Sequence, residues 1–358
     1  MTAANQKVVL RSRPVCFSGE NNPPRESNFA LKDCPYPEVE DGQILVKTLY
    51  LSADPYMRCQ MNANTGTDYL HSFELGQVIE GNGVGVVLTS KAEDFNRGDI
   101  VESYHWPWQL YATLNVGGLN CLTASKVDRK LVGSHFSLVH GLYGPPGLAA
   151  LIGIREKGHV DPNANQTFVV SAAAGACGSL AGQVARLEGC ANVVGICGTD
   201  EKCCFITNDL GFDHGINYKT EDIHARLQET CPNGIDIYFD NVGGDITNAV
   251  IKHMNPNSHI ILCGTISTYN SDLPYPPPLP DDVQQVVESQ NITRDRFLVI
   301  NYIEKFPKSI KQLSQWYKSG KLKVRETIEG GLANCPKAFI SMMNGGNTGK
   351  QIVHIAYL

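Results

Sequence analysis

"TFVVSAAAGACGSLAGQVARL" (167–187) decides how this chain is read. A β-prone apolar run, TFVVSA, passes through a cluster of small residues into a helical pattern. Glycine at Gly175 and Gly178 lets backbone approach a phosphate closely. The N-terminus of the helix that follows supplies N–H donors and partial positive charge. A thinned glycine pattern of this kind is weak evidence by itself, so its context decides between a nucleotide cradle and a packing corner.

The context is an alternating series. Strand-like runs follow at NVVGIC (192–197), HGINY (214–218), DIYFDN (236–241), HIILCGT (259–265) and FLVIN (297–301). Helix-compatible segments, SLAGQVARLEG, EKCCFITNDLG, HARLQETC and ITNAVIKHM, lie between most of them. Such β–α alternation predicts an α/β fold with a doubly wound parallel sheet, and the glycine stretch opens it. Residues 1–140 read differently, as short β-prone runs between Gly, Asp and Asn turns. The "EGNGVGVV" of 80–87 lies in that half with no helix after it, so it reads as a barrel strand. An amphipathic helix near 309–320 and a strand in "KQIVHIAYL" close the chain, and "LPYPPPLP" (273–280) reads as a stiff loop.

Composition sets the limits. The 358 residues are 42% apolar and 18% charged, a globular balance with room for two domains. Net charge is −6, without a basic run, which argues against nucleic acid or an acidic membrane surface as partner. No apolar run is long enough for a membrane span, and the opening MTAANQKVVLRSRP has no signal-peptide core, so a cytoplasmic protein is expected. The twelve cysteines are scattered and none forms C-x-x-C; free thiols in a reducing compartment are the expectation.

Cofactor choice belongs to the end of the second strand, where an acidic residue accepts from the ribose of NAD. Cys197, Gly198 and Thr199 stand there, Lys202 follows within a turn, and Tyr218 ends the next strand. A missing acid and a nearby lysine favour the 2′-phosphate of NADPH. Asp200 is the dissenting residue and could serve either cofactor. Asn241, ending the fourth strand, and "CGTISTY" (Cys263, Gly264, Thr265, Ile266, Ser267, Thr268 and Tyr269), ending the fifth, sit where ligands bind in such sheets.

Together, "LYLSADPYMRCQM", "VVSAAAGACGS", "GICGTDEK", "FDNVGG" and "GKQIV" resemble the medium-chain dehydrogenase/reductases, specifically the branch of leukotriene B4 dehydrogenases, or prostaglandin reductases. The resemblance spans essentially the whole chain. It implies a GroES-like β-barrel catalytic domain (1–140, completed by 316–358) and a Rossmann NADPH-binding domain (141–315). It implies reduction of the 13,14 double bond of 15-oxoprostaglandins, a small-molecule lipid substrate, by a monomer or homodimer. It implies that the enone carbonyl is held by the Tyr269 hydroxyl and the 2′-hydroxyl of the nicotinamide ribose, with Tyr69 as a second tyrosine. Substrate contacts fall on Tyr104, His105, Leu298 and Val299; where the family would have two aromatics, this chain reads Tyr104-His105. Cofactor contacts fall on Gly175, Ala176, Cys177, Gly178, Lys202, Tyr218, Asn241, the 263–269 loop, Phe297, Leu298, Val299 and Asn347. The family's zinc-dependent members need a histidine where this chain has Gln77, so no metal is expected. A broad alkenal or quinone reductase and a non-catalytic NADPH-binding protein of crystallin type are the alternatives. The segment 117–128 is longer than the family pattern.

Overall fold

The computed structural model describes residues 4–14, 22–67, 70–117, 123–271 and 273–358. Two compact units form. The first holds residues up to His140 together with Glu326–Asn347 and Gln351–Leu358; the second holds Gly141–Arg325 and Thr348–Lys350. The return to the first unit therefore lies at Glu326 rather than at the expected 316. The helix Phe306–Lys318 does not cross to the first unit, because its buried Leu313 and Ser314 belong to the second.

The second unit carries a six-stranded parallel sheet: β1 (Thr167–Ser171), β2 (Asn192–Cys197), β3 (His214–Asn217), β4 (Ile235–Asp240), β5 (Met254–Leu262) and β6 (Thr293–Arg296), in the order β3-β2-β1-β4-β5-β6. That is the Rossmann order, with the direction of winding reversing between β1 and β4. All five residues of β1 are buried, as expected where helices cover both faces of a sheet. The helices that connect successive strands are α1 (Ala176–Glu188), α2 (Asp200–Cys204), α3 (Ile223–Thr230), α4 (Gly244–Ile251) and α5 (Asp281–Ser289). Val169, Ile196, Tyr238, Val250 and Ile260 are among the buried side chains of this core. LPYPPPLP runs as a loop into α5, whose N-cap is Pro280.

The sixth strand is not FLVIN. It is the preceding, polar TRDR, and the chain turns into a 3₁₀ helix at Val299–Lys305. An edge strand with water on its flank does not need an apolar run. The apolar residues follow it because Phe297, bonded through its N–H to the Leu262 carbonyl (2.9 Å), is the buried residue.

The first unit is antiparallel. Strands Gln43–Ser52, Glu80–Ser90 and Ile100–Pro107 form the middle of a seven-stranded sheet, beside a separate pair, Asn5–Leu10 with Phe29–Cys34. Its core is anchored by Trp106 and Trp108, both essentially inaccessible. The strand at 80–87 forms as expected. The ten described cysteines carry no disulfide. No helix among the described residues is long and apolar enough to cross a membrane.

Candidate active site

The cradle forms where β1 ends. Ala172 takes a left-handed conformation (φ 50°), the Gly175 N–H bonds back to its carbonyl at 2.9 Å, and Gly175 becomes the N-cap of α1. Gly178 is required by close approach: a Cβ there would lie 2.4 Å from the Ala172 carbonyl oxygen. A Cβ on Gly175 would meet nothing nearer than that same oxygen, at 3.1 Å. From the far end of the chain, the Gly349 N–H bonds to the Ala174 carbonyl (2.7 Å), bringing Thr348–Lys350 against the cradle just after Asn347. The loop is thus held from both sides, with a 13-residue helix pointing its N-terminus at it. These residues fit a dinucleotide pyrophosphate.

At the end of β2, Thr199 caps α2 through its hydroxyl, which accepts from the Lys202 N–H (3.3 Å). Burial and the neighbouring Lys219 ammonium lower the Lys202 amine below the ordinary lysine value, with the Cys197 thiol opposing them. Asp200, left open by the sequence, is engaged within the protein: its Oδ1 accepts from Asn217 Nδ2 at 2.7 Å. The Tyr218 N–H bonds to the Cys197 carbonyl (3.0 Å), and its ring stands beside Gly198, within 3.2 Å of where a Cβ would be. Gly198, Lys202 and Tyr218 are therefore brought to one corner.

A carboxylate that the sequence reading missed organises the other strand ends. Asp240, fully buried, accepts at Oδ1 from the N–H groups of Val242 and Gly243 (both 2.9 Å) and from the Tyr238 hydroxyl (3.0 Å). Its Oδ2 accepts from the Thr247 hydroxyl at 2.7 Å. Its main-chain carbonyl accepts from Cys263 and Gly264 (2.9 and 3.0 Å), so the turn after β4 and the loop after β5 hang from one residue. Asn241 is pinned to β1: its N–H bonds to the Ser171 hydroxyl and its Nδ2 to the Ser171 carbonyl. The acid in "FDN" was the available signal, masked by a tripeptide that also reads as a turn.

The 263–269 loop folds over itself. Ile266–Thr268 make a 3₁₀ turn, and the Tyr269 hydroxyl accepts from the Thr265 N–H at 3.4 Å above Gly264. A Cβ on Gly264 would press that hydroxyl at 3.1 Å. Cys177 and Cys263 meet: the hydrogen bond between their thiols, then burial, holds the Cys177 thiol well above its ordinary value, so it stays neutral. Phe297 is buried against the Tyr302 ring (centroids 5.6 Å apart), and Leu298 and Val299 follow it into the 3₁₀ helix.

On the first unit, Tyr104 and His105 lie on the strand Ile100–Pro107, and His105 Nδ1 is 3.5 Å from Glu80 Oε2, both half-exposed. Tyr56, not singled out in the sequence, has its hydroxyl pushed well above the ordinary value by burial, then by Asp54 and Tyr104. Its membership in "ADPYMR" was the signal that could have found it. Tyr69 lies outside the described residues. Among the described residues, no group of three or more His, Cys, Asp or Glu side chains is arranged to hold a metal ion.

Comparison with known proteins gives the family. The family described as "N-terminal domain of oxidoreductase" matches residues 6–122, and that described as "Zinc-binding dehydrogenase" matches 176–315. The chain is 38% identical to the putative NADP-dependent oxidoreductase YfmJ of Bacillus subtilis, over 99% of both chains. It is 36% identical to prostaglandin reductase 1 of Rattus norvegicus (92% of this chain, 94% of the other). It is 35% identical to the NADP-dependent 2-alkenal reductase of Nicotiana tabacum (99% and 98%). Among solved structures, CurA from Vibrio vulnificus in complex with NADPH matches with a TM-score of 0.88 at 34% identity, covering 99% of this chain and all of that one. A GroES-like domain followed by a Rossmann domain is the shared architecture. With that architecture and these identities over nearly its full length, the chain belongs to the medium-chain dehydrogenase/reductase family, in the branch that contains the NADP-dependent alkenal and prostaglandin reductases.

Proposed function

We propose that this chain is an NADPH-dependent reductase that saturates the C=C bond of α,β-unsaturated ketones and aldehydes. The observation that carries the reading is Tyr269, whose hydroxyl lies on the loop after β5, at the same end of the sheet as the Gly175–Gly178 cradle. In this reading Gly175, Ala176, Cys177 and Gly178 hold the pyrophosphate, and Lys202 and Tyr218 hold the adenosine 2′-phosphate. Asn241, the 263–269 loop, Phe297, Leu298, Val299 and Asn347 hold the remainder. The neutral Cys177 thiol puts no negative charge against a phosphate. Bound NADPH supplies the hydride. Tyr269 donates its hydroxyl proton in a hydrogen bond to the enone carbonyl oxygen, where negative charge gathers as hydride reaches the β-carbon, and a proton delivered from solvent to the α-carbon of the enolate completes the saturated product. Tyr69 is the second such tyrosine, and Tyr104 and His105 contact the substrate.

The finer reading takes 15-oxoprostaglandins as substrate. "NTGTDY", "WPWQ", "NSHIILCG", "PYPPPLP" and "NITRDRF" resemble prostaglandin reductase 2, and the likeness to prostaglandin reductase 1 supports the same chemistry. The likeness to the tobacco 2-alkenal reductase supports a broad alkenal reductase equally. A cytoplasmic setting and a monomer or homodimer complete the proposal. The test follows NADPH consumption with 15-oxo-prostaglandin E2, simple alkenals and quinones in parallel. Rapid turnover of quinones alone overturns the reading. Tyr269→Phe is expected to lower kcat about 100-fold, the cost of one oxyanion donor, and to leave the KM for NADPH unchanged.

A further inference from the structure

The corner beside Gly198 holds a second lysine. The parallel register places Asn217 of β3 beside Cys197 of β2, so the residues that leave the two strands emerge side by side. Gly198 leaves one strand; Tyr218 and Lys219 leave the other. A Cβ on Gly198 would lie 3.2 Å from the Tyr218 ring and 3.4 Å from Lys219 Cε. The Lys219 ammonium sits 6.0 Å from the centroid of the Tyr218 ring, and its repulsion is felt at Lys202.

Three acids of the flanking segments are engaged elsewhere: Asp222 accepts from the Ala225 N–H at 3.0 Å as the N-cap of α3. Asp200 accepts from Asn217 Nδ2 at 2.7 Å, and Glu221 accepts from the Asn217 N–H at 2.7 Å and pairs with Arg226 at 2.8 Å. Among the described residues Lys219 makes no ion pair. The Lys219 stem thus passes beside a side-chain-free glycine, with the Lys202 ammonium near enough to repel its own. An added dianion would complete that charge pattern, and a terminal phosphate has the right charge and accepts from point-like ammonium donors.

We propose that Lys219 is a second cation of the 2′-phosphate site, acting with Lys202 to set the preference for NADPH over NADH. The proposal rests on the NADPH reading above and adds a residue to it. Recognition is then divided: Tyr218 and Gly198 shape the pocket, and the two lysines carry the charge.

The test uses ligands without a nicotinamide, so that binding is read apart from turnover. Adenosine 2′,5′-bisphosphate and 5′-AMP are titrated calorimetrically into the wild-type protein, Lys219→Gln and Lys219→Arg. Wild type is expected to prefer the bisphosphate. Lys219→Gln should weaken the bisphosphate about tenfold, the size of one charge-assisted hydrogen bond, and leave 5′-AMP unchanged. The salt dependence of bisphosphate binding should become shallower, and Lys219→Arg should retain most of the affinity. A Lys219→Gln protein with the wild-type preference overturns the role of Lys219 while the NADPH reading stands. Equal weakening of both ligands also overturns it, because the residue would then not read the 2′-phosphate. A wild-type protein that does not distinguish the two ligands overturns both.

Discussion

Two glycine-rich stretches, EGNGVGVV at 80–87 and AAAGACG at 172–178, look interchangeable as strings and do opposite things in space. In the first, the missing side chains are filled by the protein itself. A Cβ on Gly83 would lie 2.1 Å from Trp106 Cγ, and one on Gly85 would lie 2.6 Å from the far edge of the same indole and 2.3 Å from the Lys47 carbonyl oxygen. That indole is fully buried and donates to the Thr48 hydroxyl at 2.9 Å. In the second stretch, a Cβ on Gly175 meets only one oxygen within 4 Å. Among the described residues no side chain lies within 4 Å of where that Cβ would be. A glycine can make room for its own fold or for something the chain does not contain, and only the three-dimensional neighbours tell the two apart.

The largest effect should come from breaking the first kind. Gly83→Ala forces a methyl into the indole and the strand that carries it, an overpacking cost of about 3 kcal/mol. Urea denaturation monitored by tryptophan fluorescence reads it. A variant as stable as wild type would mean that Trp106 is not what the glycine serves. NADPH affinity of the fraction that remains folded should not change, since Gly83 belongs to the first unit and the cradle to the second.

The same stretch carries a pH-dependent cost. Glu102 pairs in register with Val84, between the two glycines, and burial pushes its carboxyl from 4.5 up to about 7. With the folded value above the unfolded one, the native state holds a proton that the unfolded chain has released. The resulting stabilisation is complete below about 4.5 and gone once pH passes about 7. Allowing for partial contact with water, it amounts to about 2 kcal/mol. Glu102→Gln should flatten the decline in stability across that window, measured as denaturation midpoints from pH 4.5 to 8. An unchanged slope would move the origin of the decline away from Glu102.

At the second kind of glycine, stability and binding should separate. Gly175 has φ −81°, which any residue adopts, so Gly175→Ala should alter stability by no more than about 0.5 kcal/mol. A methyl standing in the space proposed for the pyrophosphate should still weaken NADPH about tenfold, or 1.4 kcal/mol. Unaltered affinity would reduce the stretch to a packing corner after all.

How far the sequence carried these distinctions depends on where each cause lies. The alternating half was readable because a parallel sheet covered on both faces writes its strands as unbroken apolar runs, as in TFVVS and YFD. The sixth strand escaped because an edge strand is not so constrained: Thr293, Arg294, Asp295 and Arg296 form it, and the apolar signal belongs to Phe297 just beyond. In the candidate site, Gly198 and Lys202 could be found by spacing along the chain. Lys219 could not, because the register between β2 and β3 is what places it. Asp240 was obscured because a buried acid at a strand end has the same letters as an exposed turn. Tyr56 and Tyr104 influence one another across 48 positions, and no local pattern records that.

The smallest effect lies where the glycine strand begins. Glu80 is its first residue, and its carboxylate reaches His105 at 3.5 Å with both side chains about half in water. An exposed pair at that distance contributes less than about 0.5 kcal/mol and is further screened by salt. Glu80→Gln should therefore leave the denaturation midpoint nearly unmoved, which separates this end of the strand from the Trp106 contact a few residues on. Its use is to isolate His105. If His105 touches substrate, His105→Phe should change the KM for the enone while Glu80→Gln does not, because the first alters a contact surface and the second only a solvated charge. Equal changes in both variants would assign the effect to the pair, and no change in either would remove His105 from the substrate contacts.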